Sequence, residues 1–313
     1  HYFCDFGFII MKRFILLIIT ALTLSSCAKD NSPIIFTLDP VAALNTGTYV
    51  AYSKSFIPSD QVDLKLSFPL IEPVFQPLID GRSNIVSATL NQAIIAEANG
   101  LDLVNILQLS QATPLRLFTK SEISSIKELE GKKVGYIESD GSKEIIDLLS
   151  DLKGVKFELD ASDALNKFNN NELDAIILKE YKEMYMIPGI ITEEVSVYNF
   201  SEMGFDIPDV GLYCLKSDYS KRKDDYNAIA EAIQKGWEYT ASDLNDAFVI
   251  LCANLGETSE EDRAYYFWQM SNFSNHQIDP IANKRIFTLF DEAVEVYCEL
   301  YMQAGIIKES VDL

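Results

Sequence analysis

Cys27 is the residue whose setting specifies a reaction most directly. Lys12-Arg13 is followed by an eleven-residue apolar run, Phe14 to Leu24, interrupted only by Thr20 and Thr23, and then by Ser25-Ser26-Cys27. A positive pair, an apolar run too short to span a bilayer and small residues ahead of a cysteine make an export signal in which the chain is cut before the cysteine and its thiol is lipidated. The alternatives are a short buried helix or a transmembrane anchor, but no capping signal opens the run and a polar Lys29-Asp30-Asn31-Ser32 segment follows it. Residues 1–26 are therefore expected to be a signal peptide, with 1–10, ahead of Met11, a start-site artefact. Residues 27–33 become a lipidated tether that holds the protein at a bacterial cell envelope, facing the periplasm or the exterior.

The remaining chemistry-bearing residues argue against catalysis. Beyond His1, the only histidine is His276, in a polar Ser274-Asn275-His276-Gln277 stretch that reads as a solvated loop. Serine and cysteine hydrolases need a histidine base, and zinc-binding proteins use several histidines, so both classes are disfavoured. Cys214, Cys252 and Cys298 lie in apolar surroundings without CxxC spacing, which argues against structural zinc and leaves one disulfide or three buried thiols open. No Walker loop or GxGxxG follows a strand. Glu138 and Glu180 are the only convergent acids to nominate as a glycosidase-like pair, which would need a separation of roughly 5–10 Å. No cofactor, no metal and no enzyme activity are expected.

The net charge is −21, and losing residues 1–26 removes two of 26 basic and one of 47 acidic side chains, leaving −22. Nucleic acid is an unsuitable partner for such a chain, and anionic membrane surfaces repel it, so membrane association falls to the lipid.

Periodicity then supplies the elements that must position a site. Short strands at Ile34–Leu38, Val62–Phe68, Asn84–Val86 and Leu103–Leu109 alternate with a helix over Leu90–Asn99 that ends at Gly100. Ser125 and Glu128 form a capping box for a short helix ending at Gly131. Strands at Lys133–Ile137, Val155–Leu159 and Leu173–Leu178 alternate with helices from Ser142 to Leu149 and from Ser162 to Phe168. After Tyr213 only helical spacing remains: Tyr226, Ile229, Ile233 and Trp237; Leu244, Phe248, Leu251 and Leu255; Ile286, Leu289, Phe290, Val294, Tyr297 and Tyr301. The run Tyr265-Tyr266-Phe267-Trp268 reads as helix core rather than a ligand-stacking surface. This is an α/β chain with mixed, mostly parallel sheets flanked by helices. It divides into lobe one, 34–120 plus 212–313 with C-terminal helices packed on it, and lobe two, 121–211. Crossings near 118–122 and 209–214 act as hinges around an interlobe cleft.

Several segments in this order resemble a known family. They are Leu38-Asp39-Pro40 with Thr46-Gly47-Thr48-Tyr49-Val50-Ala51, Ile106-Leu107-Gln108, Ile123 to Tyr136, Asn171-Glu172-Leu173-Asp174-Ala175-Ile176, and Ala232-Ile233-Gln234-Lys235-Gly236-Trp237-Glu238-Tyr239. Together they resemble the ABC-transporter substrate-binding proteins of the thiamine-pyrimidine-precursor group and the related sulfonate, nitrate and taurine binders. The resemblance implies a two-lobe, type II periplasmic-binding-protein fold. The chain departs from it in the first loop, where pyrimidine binders commonly read Asp-Trp-x-Pro-Asn-x-x-His. Asp39-Pro40-Val41-Ala42-Ala43-Leu44-Asn45-Thr46 has neither the tryptophan nor the histidine. A synthase role that consumes that histidine is disfavoured.

Strand ends place Asp39, Asn45, Tyr49, Ser87, Thr89 and Gln108 at the cleft from lobe one, and Glu138, Ser139, Gly141, Ser142, Glu180 and Tyr181 from lobe two. The Gly141-Ser142 turn could offer helix N-terminal amides or be an ordinary cap. None of these positions is basic, and Arg82 and Arg116 lie at a turn and in a strand pattern. A neutral or cationic heteroaromatic, such as a hydroxymethylpyrimidine-type thiamine precursor, fits better than an oxyanion. The expected protein is a monomer that captures this ligand and hands it to an ABC permease. The alternatives are a riboflavin-like or sulfonate ligand, or an interaction lipoprotein whose cleft is filled by Tyr49 or Phe68.

Overall fold

The computed structural model describes residues 32–137, 142–182, 184–186, 195–200, 208–279 and 282–313, without the side chains of 142, 144, 145, 152 and 186. The proposed signal and Cys27 lie outside these residues. Among the described residues, no helix is long and apolar enough to cross a membrane.

Two five-stranded sheets carry the architecture. The first has the order β2-β1-β3-β10-β4, from Leu64–Ser67, Ile34–Thr37, Ile85–Thr89, Val210–Leu215 and Leu103–Gln108. The second has the order β7-β6-β8-β5-β9, from Glu158–Asp160, Lys133–Gly135, Ala175–Lys179, Leu115–Thr119 and Ser196–Asn199. Strand β1 is parallel to β2 and β3, with Ile34 opposite Leu64 and Phe36 opposite Ile85, whereas β10 runs antiparallel to both neighbours. Likewise β6 is parallel to β7 and β8, and β5 is antiparallel to β8 and β9. The central strands β3 and β8 are buried at every residue, as strands covered on both faces are, including the polar Ser87, Thr89 and Lys179.

Strand membership corrects the expected crossings. Residues 118–122 begin inside β5 and 209–214 fall largely inside β10, so the chain passes between sheets at 109–114 and again between β9 and β10. The expected boundaries miss because Val210–Leu215 is a short apolar run without period-two alternation, and because the strand pattern around Arg116 in Leu115–Thr119 is too short to show which sheet it joins.

Helices α1 (Thr46–Ser53), α2 (Gln76–Ile79), α3 (Leu90–Ala98), α4 (Ser142–Lys153), α5 (Ala164–Asn169), α6 (Lys216–Ser242), α7 (Leu244–Leu255), α8 (Glu260–His276) and α9 (Asp291–Gln303) cover the sheets. Thr89 with Gln92, and Ser259 with Asp262, form capping boxes that start α3 and α8. Helix α1 lies directly on α6: a Cβ at Gly236 would sit 1.9 Å from the Gly47 carbonyl oxygen, and one at Gly47 would sit 2.3 Å from the Trp237 ring. Only glycine permits that backbone contact. The ring of Trp237 continues the core to Phe273 of α8, 5.2 Å between centroids.

Helices α6, α7 and α8 pack on the first sheet, as expected. The last helix does not follow them. Val294, Tyr297, Cys298 and Tyr301 share one apolar cluster with Leu90 and Ile94 of α3, Leu115 and Leu117 of β5, and Val134 of β6. Thus α9 is held between bodies that the sequence assigned to separate lobes. Cys214, Cys252 and Cys298 are buried free thiols.

Candidate functional site

The carboxyl ends of β1 and β3 open onto a cleft of about 580 Å³ that the end of β8 faces from the second sheet. Such an end-of-strand crevice is where α/β sheets bind small molecules. Its walls are mostly apolar, with Leu38, Val41, Leu44, Val86 and Val210 deep and Leu70 and Ile71 at the rim. The polar groups are few: Asp39, Ser87, Thr89 and Gln92 from the first sheet, Lys179, Tyr181 and Lys182 from the second, and Glu72 on the rim loop.

Asp39 is the most constrained of these. Its backbone N–H donates to Asn45 Oδ1 at 2.8 Å, and Asn45 Nδ2 returns a bond to the Asp39 carbonyl at 2.9 Å. Its carboxylate accepts from the Val41 N–H at 2.8 Å and from the Ser87 hydroxyl at 2.7 Å. Burial pushes this carboxyl above the ordinary carboxylate range, and Asp209 adds to that. The Ser87 and Val41 bonds and the Lys179 charge act against it without cancelling it. The loop therefore presents a carboxyl that is fixed in place yet poorly solvated.

On the opposite side, Lys179 Nζ lies 3.1 Å from Asp209 Oδ2, and Tyr181 donates its hydroxyl to the same oxygen at 2.5 Å. Lys179, Tyr181 and Asp209 are all buried. The sequence reading found no basic group at the strand ends. The structure corrects this, because Lys179 lines the cleft, with its charge offset by Asp209.

Four of the expected ligand positions, Asp39, Ser87, Thr89 and Tyr181, come together in this cleft. Four others do not line it. Asn45 is spent on holding the Asp39 loop. Tyr49 is in the α1 core. Gln108 is fully buried, donating to the carbonyls of Ser110 at 2.9 Å and Val210 at 3.1 Å. Glu180 turns away from the cleft to pair with Arg116, and lies 3.4 Å from His276 Nε2. Alternation explains the last of these: at the end of β8, successive side chains point to opposite faces. Glu138, Ser139 and Gly141 lie outside the described residues, as does the Ser142 side chain.

His276 is another correction. It ends α8 and is buried, its ring edge-on to Tyr181 at 5.7 Å, rather than solvated in a loop. Glu180 itself would be raised by burial alone, but His276 and Arg116 outweigh that and hold it below its ordinary range. The aromatic run on α8 divides between two roles. Phe267 packs on Phe248 in the core, whereas Tyr265 and Trp268 face Tyr185 beyond β8, 5.4 and 5.3 Å between ring centroids.

Lys179, Lys182 and Asp209 escaped sequence reasoning. A lysine closing the buried run Ala175-Ile176-Ile177-Leu178 was the legible signal for the first. Asp209 had none, because β10 behind it went unrecognised.

Two linked α/β sheets with a small-molecule cleft at their carboxyl ends define the periplasmic-binding-protein class. The solved structures agree. The aliphatic sulphonate binding protein SsuA from Escherichia coli superimposes with a TM-score of 0.67 at 14% identity, covering 90% of both chains. The alkanesulfonate-binding protein SsuA from Xanthomonas axonopodis pv. citri, bound to MOPS, gives 0.62 at 12% identity, covering 91% of this chain and 97% of that one. A Candida albicans protein described as having the generic periplasmic binding protein fold gives 0.59 at 15% identity, covering 89% and 92%. No curated protein matches the sequence significantly. The family model described as NMT1/THI5 like matches residues 44–247, and the chain belongs to that family.

Proposed function

We propose that this protein is the extracytoplasmic solute-binding lipoprotein of an ABC importer, anchored through Cys27, and that it captures a small heteroaromatic of the thiamine-pyrimidine-precursor type as a monomer. It binds and delivers, with no catalytic step. The observation that carries the ligand class is Asp39. A carboxyl fixed by Ser87 and Val41 on the floor of a mostly apolar cleft of about 580 Å³ suits a flat ring bearing an amino group beside a ring nitrogen. A carboxylate accepts from the amino group, and from the ring nitrogen as well when that nitrogen carries a proton. An apolar wall receives the rest of the ring.

Two of the similar structures are described as sulfonate binders, and Lys179 and Lys182 in the lining give that reading a foothold. Two features weigh against it. Asp209 already offsets Lys179, and the Val41 N–H that an anion would seek is occupied by the Asp39 carboxylate. The interaction-lipoprotein alternative expected the cleft to be filled by Tyr49 or Phe68. Tyr49 is in the core, and Phe68 is 75% exposed.

Thermal unfolding with a panel of hydroxymethylpyrimidine, its formylamino precursor, thiamine, riboflavin, taurine and an alkyl sulfonate tests the proposal. A true ligand at a hundred times its Kd adds about 2.7 kcal/mol, or roughly 5 °C for a chain of this size. The expected result is a shift with the pyrimidines alone. A shift confined to the sulfonates transfers the cleft to that class, and a flat panel removes the solute-binding reading.

A further inference from the structure

Four consecutive residues at the end of β8, Lys179 to Lys182, hold both connections between the sheets, and three of the four also line the cleft. Lys179 and Tyr181 bind the carboxylate of Asp209, which lies just ahead of β10 in the second crossing. The Asp209 carbonyl in turn accepts from the Leu90 N–H at the start of α3, 2.7 Å away. Asp209 thus faces the second sheet through its side chain and the first through its backbone. In parallel, the Glu180 N–H donates to the Pro114 carbonyl in the first crossing at 2.7 Å, and its carboxylate meets Arg116 and His276. Tyr265 of α8 donates to the Lys182 carbonyl at 2.7 Å, and the Tyr181 ring packs edge-on against Phe273 of the same helix at 5.1 Å. The Tyr181 hydroxyl spends its one proton on Asp209, so a solute that takes that proton breaks the bond, and a solute anion at the Lys179 ammonium competes with the Asp209 carboxylate.

We propose that Asp209 is a positioning residue that couples the cleft to the relative set of the two sheets: its bonds to Lys179 and Tyr181 hold the sheets in the observed arrangement, and solute contact at those two side chains releases or tightens it. The relay rests on the solute-binding reading of the cleft. The hold on the sheets does not, so the two can fail separately. Ligands shift such equilibria only through contacts that differ between the arrangements, and the shared carboxylate is such a contact.

The test measures the intersheet distance in the full chain by pulsed electron resonance. Labels are attached through a ketone-bearing amino acid replacing Lys65 on β2 and Lys156 ahead of β7, both exposed. Asp209→Asn and the milder Tyr181→Phe are each expected to broaden or displace the distance distribution without any solute. Lys54→Gln, which breaks the surface pair with Asp246 at 2.8 Å, is expected to leave it unchanged. Tyr181→Phe guards against an Asp209→Asn chain that fails to fold. A wild-type distribution in folded Tyr181→Phe and Asp209→Asn overturns the proposal. Hydroxymethylpyrimidine is then added to all three. A displacement in the wild type that is lost or reduced in Tyr181→Phe supports the relay, and an equal displacement in both overturns it. If the wild type binds no pyrimidine, the solute-free distributions still decide the hold on the sheets, and only the ligand reading falls.

Discussion

The two sheets are built to one plan and used for different purposes. Each has three parallel strands, then one antiparallel strand, then an outer strand parallel to the first three. In each, the antiparallel strand is the one by which the chain arrives from the other sheet, β5 in the second and β10 in the first. The difference lies in what is packed on them. The first sheet is backed by α6, α7 and α8, of 27, 12 and 17 residues, whereas the second carries α4 and α5, of 12 and 6, and shares the 13-residue α9 with α3 of the first body. A heavily buttressed body can hold a poorly solvated carboxyl such as Asp39 in one geometry. The lighter body contributes Lys179 and Tyr181, whose places are set by a residue of the crossing. On the proposed reading the buttressed side supplies the fixed contact, Asp39, and the lighter side supplies the adjustable ones, Lys179 and Tyr181.

The sharpest way to break this comparison is to disturb the packing of each body at its tightest glycine. Gly236→Ala would drive a methyl into the Gly47 backbone, which cannot yield without separating α1 from α6. A loss of about 3–5 kcal/mol is expected, enough to abolish cooperative unfolding or soluble expression. At Gly135 in β6 the nearest atom is Leu173 Cδ1, 2.6 Å from a built Cβ, the far end of a side chain that can turn aside. Gly135→Ala is expected to cost about 1–3 kcal/mol and to leave a cooperative transition. Chemical denaturation of both variants checks the order, and equal losses would remove the claimed difference in rigidity.

How much of this was legible differs between the bodies for the same reason. The helices α6 and α7 announced themselves through faces such as Tyr226, Ile229, Ile233 and Trp237, because a long amphipathic stripe repeats its signal. So did β1, β3, β4 and β8 with their flanking turns. The short runs Ser196–Asn199 and Val210–Leu215 gave too few residues to establish a period, and the strand pattern around Arg116 did not show which sheet it joins, so the crossings and Asp209 went with them. Asp39, Ser87, Thr89 and Tyr181 could be placed together at the cleft because chain ends of parallel strands converge by topology. Tyr49 and Gln108 were misplaced because side-chain direction within α1 and at the end of β4 depends on packing that no local pattern carries. His276 read as solvated for the same reason: its burial comes from Tyr181, which is distant in sequence.

The next effect separates binding from stability at the cleft floor. Asp39→Asn keeps the shape and an acceptor but removes the charge, and it is expected to weaken hydroxymethylpyrimidine binding by at least tenfold, about 1.4–3 kcal/mol for a hydrogen bond to a charged group. The same substitution is expected to stabilise the solute-free fold at neutral pH. A carboxyl raised by folding binds its proton more tightly in the native chain, so ionising it subtracts stability as pH climbs from the unfolded value, near 3.9, through the folded one. The variant's advantage should vanish in acid, where the carboxyl is protonated in both states. Calorimetric titration together with pH-dependent unfolding checks both halves, and a variant that binds normally would remove Asp39 from recognition.

The smallest effect is its mirror image on the second sheet. Glu180 is held below its ordinary range with His276 and Arg116 around it, so its ionised form adds stability above the unfolded carboxylate value, near 4.3, and loses it as pH falls through the lower folded value. Glu180→Gln is expected to cost about 1 kcal/mol at neutral pH, between an exposed pair's few tenths and a buried pair's several, because the side chain is 25% exposed. The deficit should shrink as pH falls below the unfolded value and through the lower folded one. Pyrimidine affinity should be unchanged, since Glu180 turns from the cleft that Lys179 and Tyr181 line. The two carboxyl-to-amide variants thus predict stability differences of opposite sign that both fade in acid, with binding lost in only one. If Glu180→Gln also lost binding, Glu180 would act on the cleft itself, and the division between a fixed contact on one body and adjustable ones on the other would fail.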